Sequence, residues 1–398
     1  MHNLLLLVFT LITIPYVAAA SQTNVSVKTK VPRSKSIPLN LKNWTLKPKL
    51  EINFGSSSNP LQNSKEQRGS YSEYSPTLST DYALTDDFYL IGKIKANVRR
   101  FQEKSLSETA NTQSMTATFG FLSFLGENFE YGGDLTRQGS KEQELNSDIG
   151  ADISETSKYQ SQNSRVYFAF QKNRNRTEIG ASYLVRDYTT PTKDRDLNDN
   201  VLSFENDYFG TGTDAKVEID LAPFTLGLKG SWAERNYLNR RARFTDGPNS
   251  AALAHPRLKL FMQNYALELI SKLKNLKLST AAKYGQNKDR IYGALDSKQY
   301  SLGQTLSYSI TKSVRLEPEI ELTHRNFSNL RTHFEAGKNP QFNSLRKDRM
   351  TTSSLALVGK LFDRIEGKIK YSYLRMASNS AADQFNEKIL MTGLSADF

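Results

Sequence analysis

The chain has 398 residues, no cysteine, a formal net charge of +12 and a mean hydropathy of −0.56. The missing cysteines exclude a disulfide framework, a thiolate metal site and an N-terminal lipoprotein anchor. A basic balance suits anionic solutes, anionic lipid or nucleic acid.

The first element is apolar. Leu4 to Val17 is interrupted only by Thr10, Thr13, Pro15 and Tyr16, and Ala18-Ala19-Ala20 then precedes Ser21 in an A-x-A cleavage pattern. At about 14 residues the apolar core is shorter than the ~20 a spanning helix needs. Residues 1–20 are therefore expected to be a cleaved signal peptide, although Met1-His2-Asn3 carry no Lys or Arg. Export argues against nucleic acid as a partner. Residues 21–45, with Lys28, Lys30, Arg33 and Lys35 among polar residues, show no apolar periodicity. They read as a flexible periplasmic extension, far shorter than a folded plug domain.

Over residues 46–398 the pattern has a period of two, the mark of strands with unlike faces. Leu50, Ile52 and Phe54 alternate with Lys49, Glu51 and Asn53; Ile94, Ala96 and Val98 with Lys93, Lys95 and Asn97; Leu226 and Leu228 with Thr225 and Lys229; Ile369 and Tyr371 with Lys368 and Lys370. The segments run about ten to fourteen residues, the length a strand tilted at ~45° needs to cross a bilayer, whereas sandwich strands average ~5–6. Tight turns are expected at 84–87, 126–128, 173–176, 222–223, 274–275, 311–313 and 363–364. They alternate with longer loops at 56–68, 101–111, 139–160, 188–205, 238–255, 290–297, 327–349 and 379–383. Short turns at one end and long loops at the other predict an all-β, antiparallel, up-and-down transmembrane barrel of sixteen strands. Boundaries known to ~2–4 residues leave fourteen or eighteen open. Pro48 and Pro318 fall inside proposed strands, so each is expected at a bulge or a strand end.

The last strand runs Lys388-Ile389-Leu390-Met391-Thr392-Gly393-Leu394-Ser395-Ala396-Asp397-Phe398. Leu390, Thr392, Leu394, Ala396 and Phe398 form an apolar comb ending in an aromatic ring. This resembles the C-terminal assembly signal of bacterial outer-membrane β-barrels of the porin-like class. The resemblance implies an outer-membrane location and pairing of this strand with the barrel-assembly machinery during biogenesis. Tyr300, Tyr308, Tyr371, Tyr373 and Phe362 sit near strand ends, where interfacial girdles lie.

With the apolar comb facing lipid, basic residues outnumber acidic ones on the inner parity. The inner wall is expected to hold Lys93, Lys95, Arg99, Arg165, Arg186, Lys229, Arg235, Lys277, Lys283, Lys368 and Lys370, with Arg315, Glu317, Glu319 and Glu321 in succession on one strand. The third long loop carries Glu142, Glu144, Asp148, Asp152 and Glu155. By resemblance to diffusion porins it would fold inward as a constriction opposite the basic wall; an exposed, solvated loop is the alternative. The expected function is a passive channel for small polar or anionic solutes, without enzymatic activity, cofactor or metal, and with homotrimer formation left open.

Two other readings compete. A barrel enzyme acting on lipid A or phospholipid would need a base; His255 and His333 lie in loops, and His324 ends a strand near the outer rim on the lipid side. A structural barrel could bind lipopolysaccharide phosphates through Arg240, Arg241 and Arg243 in one loop and Arg331, Lys338, Arg346, Lys347 and Arg349 in another.

Overall fold

A computed structural model describes residues 44–61, 67–107, 110–143, 156–188, 207–241, 256–293, 295–331, 344–379 and 384–398. The expected signal peptide, nearly all of the extension, His255 and His333 lie outside the described residues. The strands are β1 (Trp44–Ser57), β2 (Gly69–Thr85), β3 (Phe88–Phe101), β4 (Thr112–Leu125), β5 (Phe129–Gln143), β6 (Thr156–Lys172), β7 (Asn175–Tyr188), β8 (Tyr208–Leu221), β9 (Phe224–Arg241), β10 (Arg257–Leu273), β11 (Leu276–Asp289), β12 (Ser297–Ser309), β13 (Val314–Arg331), β14 (Leu345–Phe362), β15 (Ile365–Ser378) and β16 (Phe385–Asp397). A one-turn helix, α1 (Lys104–Ser107), lies between β3 and β4. Each strand pairs antiparallel with its sequence neighbours, and β1 pairs with β16, so the sixteen strands close into a barrel.

Register keeps the two faces apart around the ring. Lys49 stands opposite Thr77, Thr77 opposite Lys95, Lys95 opposite Thr116 and Thr116 opposite Gln138, all on the inner face. The outer face leaves large apolar side chains uncovered: Ile179 is 62% exposed, Val166 60%, Leu302 52% and Leu355 50%. Such a band is tolerated where acyl chains replace water, and a closed ring leaves no strand edge unpaired. The barrel is a membrane-spanning one. Aromatics flank the band on the same outer face. Trp44 packs on Tyr82 (4.9 Å) and Phe129 on Phe170 (5.0 Å) at the tight-turn end, while Trp232, Tyr265, Tyr284 and Tyr300 form a chain of ring contacts toward the other end.

The turns follow the sequence expectation, with Asn173 and Arg174 both in the left-handed region (φ 50° and 67°), the geometry of a two-residue hairpin turn that Asn tolerates. The loops are shorter than expected where strands of 15 to 18 residues run on past the membrane. β5 and β6 extend to Gln143 and back from Thr156, and β13 and β14 to Arg331 and back from Leu345. Contrary to the expectation, neither proline sits at a bulge or a strand end, and Pro48 pairs in unbroken register with Leu78 of β2. Pro48 lies below the first β1–β16 pair, Lys49–Asp397, where its carbonyl accepts the Phe398 amide (3.0 Å). Pro318 lies mid-strand with no register shift: it pairs with Leu355 on one side, and on the other the ladder skips from Glu319 to Leu316. An interrupted ladder accommodates the missing N–H without a bulge.

Candidate functional site: the charged lumen

The inner face is a polar surface ordered by ion pairs between strands. On one wall, Arg176 of β7 donates two hydrogen bonds to Glu130 of β5 (2.7 and 2.8 Å) and two to Glu178 (2.8 and 3.3 Å). Arg165 of β6 bridges Glu178 (2.6 Å) and Asp214 of β8 (2.7 Å). These side chains are largely covered, between 7 and 23% exposed. Each guanidinium fork is shared by two carboxylates, which fixes its direction and neutralises much of its charge.

On the wall formed by β13–β16 and β1–β3, Arg315 holds Glu366 in a two-bond pair (2.8 and 3.0 Å) and Glu317 (2.7 Å), and Arg99 holds Glu73 (2.6 Å). Lys49 pairs with Glu51 (2.9 Å) and Lys47 with Asp81 (2.6 Å). All of these except Lys47 and Asp81, together with Lys368 and Lys370, line a recess of about 410 Å³ in the barrel wall. Lys370 reaches Glu319 only at 4.0 Å, and Lys283 of β11 pairs with Glu321 (2.7 Å).

Every residue of the expected basic wall lies on the inner parity, but they fall into three groups. Arg99, Arg165, Lys283 and Lys370 are ion-paired as above. Arg186 and Arg235 stack on tyrosines: Arg186 over Tyr159 (4.2 Å) and Tyr208 (5.7 Å), Arg235 over Tyr208 (4.9 Å). Lys93, Lys95, Lys229, Lys277 and Lys368 have no carboxylate among the described residues within ion-pair distance. The inner charge is thus more nearly balanced than an inventory of basic residues suggests.

At the outer end of the lumen, two loops turn apolar residues inward. Leu106 of α1 is 0% exposed and packs with Tyr71, Phe101 and Ala110, joined by Leu61 and Ile389. Glu103 ties this loop to the wall by accepting the Ser70 amide (2.9 Å), and Asn111 accepts the Phe101 amide (2.7 Å). Gly69 is needed here, because a Cβ would run into Leu106 and Phe101. Leu295 of the β11–β12 loop packs with Tyr208, Tyr237, Leu258 and Leu260. Burial raises the Asp296 carboxyl above the usual aspartate range, although it accepts the Asp289 amide (2.7 Å). Sequence reading missed these inward leucines; for Leu106 the available signal was one large apolar residue in an otherwise polar loop.

Of the expected constriction-loop acids, Glu142 falls inside β5 opposite Ser157, and Glu144, Asp148, Asp152 and Glu155 lie outside the described residues. Arg346, Lys347 and Arg349, expected in a loop, belong to β14, and Arg331 closes β13. Arg346 faces the lumen, where it is 3% exposed and pairs with Asp348 (3.0 Å). Arg240 and Arg241 are the last residues of β9; Arg243 and Lys338 lie outside the described residues. Leu390, Thr392, Leu394 and Ala396 occupy the outer parity of β16, and Phe398 follows it 55% exposed. His324 is on the outer face between Tyr300 and Arg349, with its Nδ1 buried and unpartnered.

No protein-family model matches the chain, and no curated protein is similar to it in sequence. Solved structures share its fold. In-vitro folded OmpT, an outer membrane protein of Vibrio cholerae, superposes with a TM-score of 0.52 at 7% identity over 91% of this chain and 100% of that one. The trimer form of OmpT gives 0.50 at 9% identity, over 89% and 99% of the two chains. An anion-selective porin from Comamonas acidovorans gives 0.49 at 11% identity, over 89% and 99%. The chain is similar in fold to the OmpT outer membrane protein.

Proposed function

We propose that the protein is a bacterial outer-membrane channel, not an enzyme, through which small polar and anionic solutes diffuse with a weak preference for anions. The observation that carries this reading is the set of lumen lysines, Lys93, Lys95, Lys229, Lys277 and Lys368, that no described carboxylate neutralises. Fixed charge along a water-filled path sets the sign of the permeant ion. Paired arginines contribute local dipoles rather than net charge, so the preference is weak. The outer-membrane setting is supported by the apolar belt, the girdles and the comb of β16, whose outward residues suit pairing with the barrel-assembly machinery. Likeness in fold to a barrel also solved as a trimer supports assembly as a homotrimer.

Planar-bilayer recording under a salt gradient tests the reading. Wild type is expected to give open-channel steps and a reversal potential displaced toward that of the anion. Lys93→Glu/Lys95→Glu/Lys368→Glu, which reverses three unmatched charges facing water, is expected to move it to the cation side. A wild-type protein without conductance, or one already cation-selective, refutes the proposal.

A further inference from the structure

Near the long-loop rim, charge is sorted by strand face. On β14, Arg346 and Asp348 point into the lumen and are buried, while Lys347 and Arg349, their sequence neighbours, point outward and are exposed. On β16, Glu387 is inward and 4% exposed, and Lys388 is outward and exposed. Lys298 on β12 and Arg375 on β15 are also outward and exposed. No described carboxylate of β12–β16 shares the outer face with these cations, and none of them has an ion-pair partner among the described residues.

Their placement relative to the apolar belt is regular. Leu302, Leu322 and Leu355 are 45–52% exposed on this face. One step of two residues toward the rim comes Tyr300, which stands opposite His324, itself opposite Arg349. One further step brings Lys298 and Lys347, which flank Asn326 from either side. Arg375 stands opposite Asn386, and Lys388 opposite Tyr373. Along β12, acyl-chain contact (Leu302), ring (Tyr300) and cation (Lys298) thus follow at about 7 Å per step, and on β15 Tyr373 precedes Arg375 at the same spacing; on β14 Arg349 lies three such steps from Leu355. Across the strands, the cations span β12 to β16, or roughly 19 Å at ~4.8 Å per strand. A soluble anion would have no use for the leucines beneath; a lipid uses both.

We propose that the outer face of β12–β16 is a binding site for a lipid of the surrounding leaflet that carries two phosphates. Arg349 and Arg375 grip one phosphate, and Lys298 and Lys347 face the other. His324 and Tyr300 line the headgroup boundary, and the acyl chains lie on Leu302, Leu322 and Leu355. Cation–phosphate hydrogen bonds are the strong, charge-assisted kind, and the width of the cationic row matches a headgroup with two separated anionic ends better than one with a single phosphate.

Native mass spectrometry of the purified full chain in detergent, titrated with diphosphoryl lipid A and with dephosphorylated lipid A of the same acylation, tests this. Wild type is expected to retain the diphosphoryl form preferentially. Arg349→Ser/Arg375→Ser is expected to weaken retention by about tenfold per arginine lost. Lys93→Ser, inside the lumen, is expected to leave it unchanged. The arginine variant should conduct like wild type in the bilayer assay, so this site and the channel reading can fail separately. Equal retention of both lipids, equal retention by wild type and the arginine variant, or an oligomer of this chain that depends on Arg349 and Arg375 in the absence of lipid would overturn the proposal.

Discussion

Leu267 offers a direct test of which face meets the membrane. It lies on the outer face of β10 between Leu228 and Ala282 and is 45% exposed. It stands six residues from the tight turn after Leu273, roughly 20 Å along the strand at ~3.4 Å per residue and about 15 Å in height at a tilt of 40°. The apolar band of such barrels is ~25 Å tall, which puts Leu267 close to the midplane, where an arginine costs about 2–4 kcal/mol. Ala266, its chain neighbour, faces the lumen opposite Lys229 and Lys283. An arginine there stays in water and adds like-charge repulsion of under about 1 kcal/mol. Reversible denaturant unfolding in phospholipid vesicles should therefore place Leu267→Arg well below wild type and Ala266→Arg near it. Equal costs, or the reverse order, would refute the assignment of faces and with it the barrel's orientation to lipid.

Leu106→Ala removes the apolar anchor of the β3–β4 loop. A fully buried Leu→Ala change typically costs about 2–5 kcal/mol, and here most of it should appear as local release of the loop. Single-channel conductance is expected to rise, while the thermal unfolding midpoint changes little. In the β11–β12 loop, the raised Asp296 carboxyl means that the folded state binds its proton more tightly than the unfolded chain does. That stabilisation is complete below the ordinary aspartate value and is lost as pH rises from there through the raised one. Asp289 adds to the upward shift, and Lys288 opposes it. Hydrogen-exchange protection of residues 290–296, corrected for intrinsic rates, should fall across that window in wild type. It should stay flat in Asp296→Asn, whose amide oxygen still accepts the Asp289 N–H.

The strand count and the inner or outer face of each residue were legible in the sequence because a period of two is a local property. Lys93, Lys95, Lys368 and Lys370 face inward for the same reason that Ile94 and Ile369 face out. What a residue pairs with was not legible. Arg165 finds Glu178 and Asp214 across the β6–β7 and β7–β8 registers, 13 and 49 positions away in the chain. A count of inward charges therefore overstated the free positive charge. The loop at 327–349 was drawn too long because Arg346-Lys347-Asp348-Arg349 is polar on both faces. Near the rim one face meets the lumen and the other the headgroups, so the apolar half of the alternation disappears while the strand continues.

The seam between β1 and β16 has a consequence for how the protein is made. It runs from Lys49–Asp397 to Ser57–Ile389, so the ring closes only once the 13 residues of β16 are in place. Before they arrive, β1 and β15 each present a long row of unsatisfied amides and carbonyls beside an uncovered greasy surface, a template for aggregation. A chain without β16 must be shielded at both edges, and a truncation that removes β16 alone should be as damaging as one that removes most of the barrel.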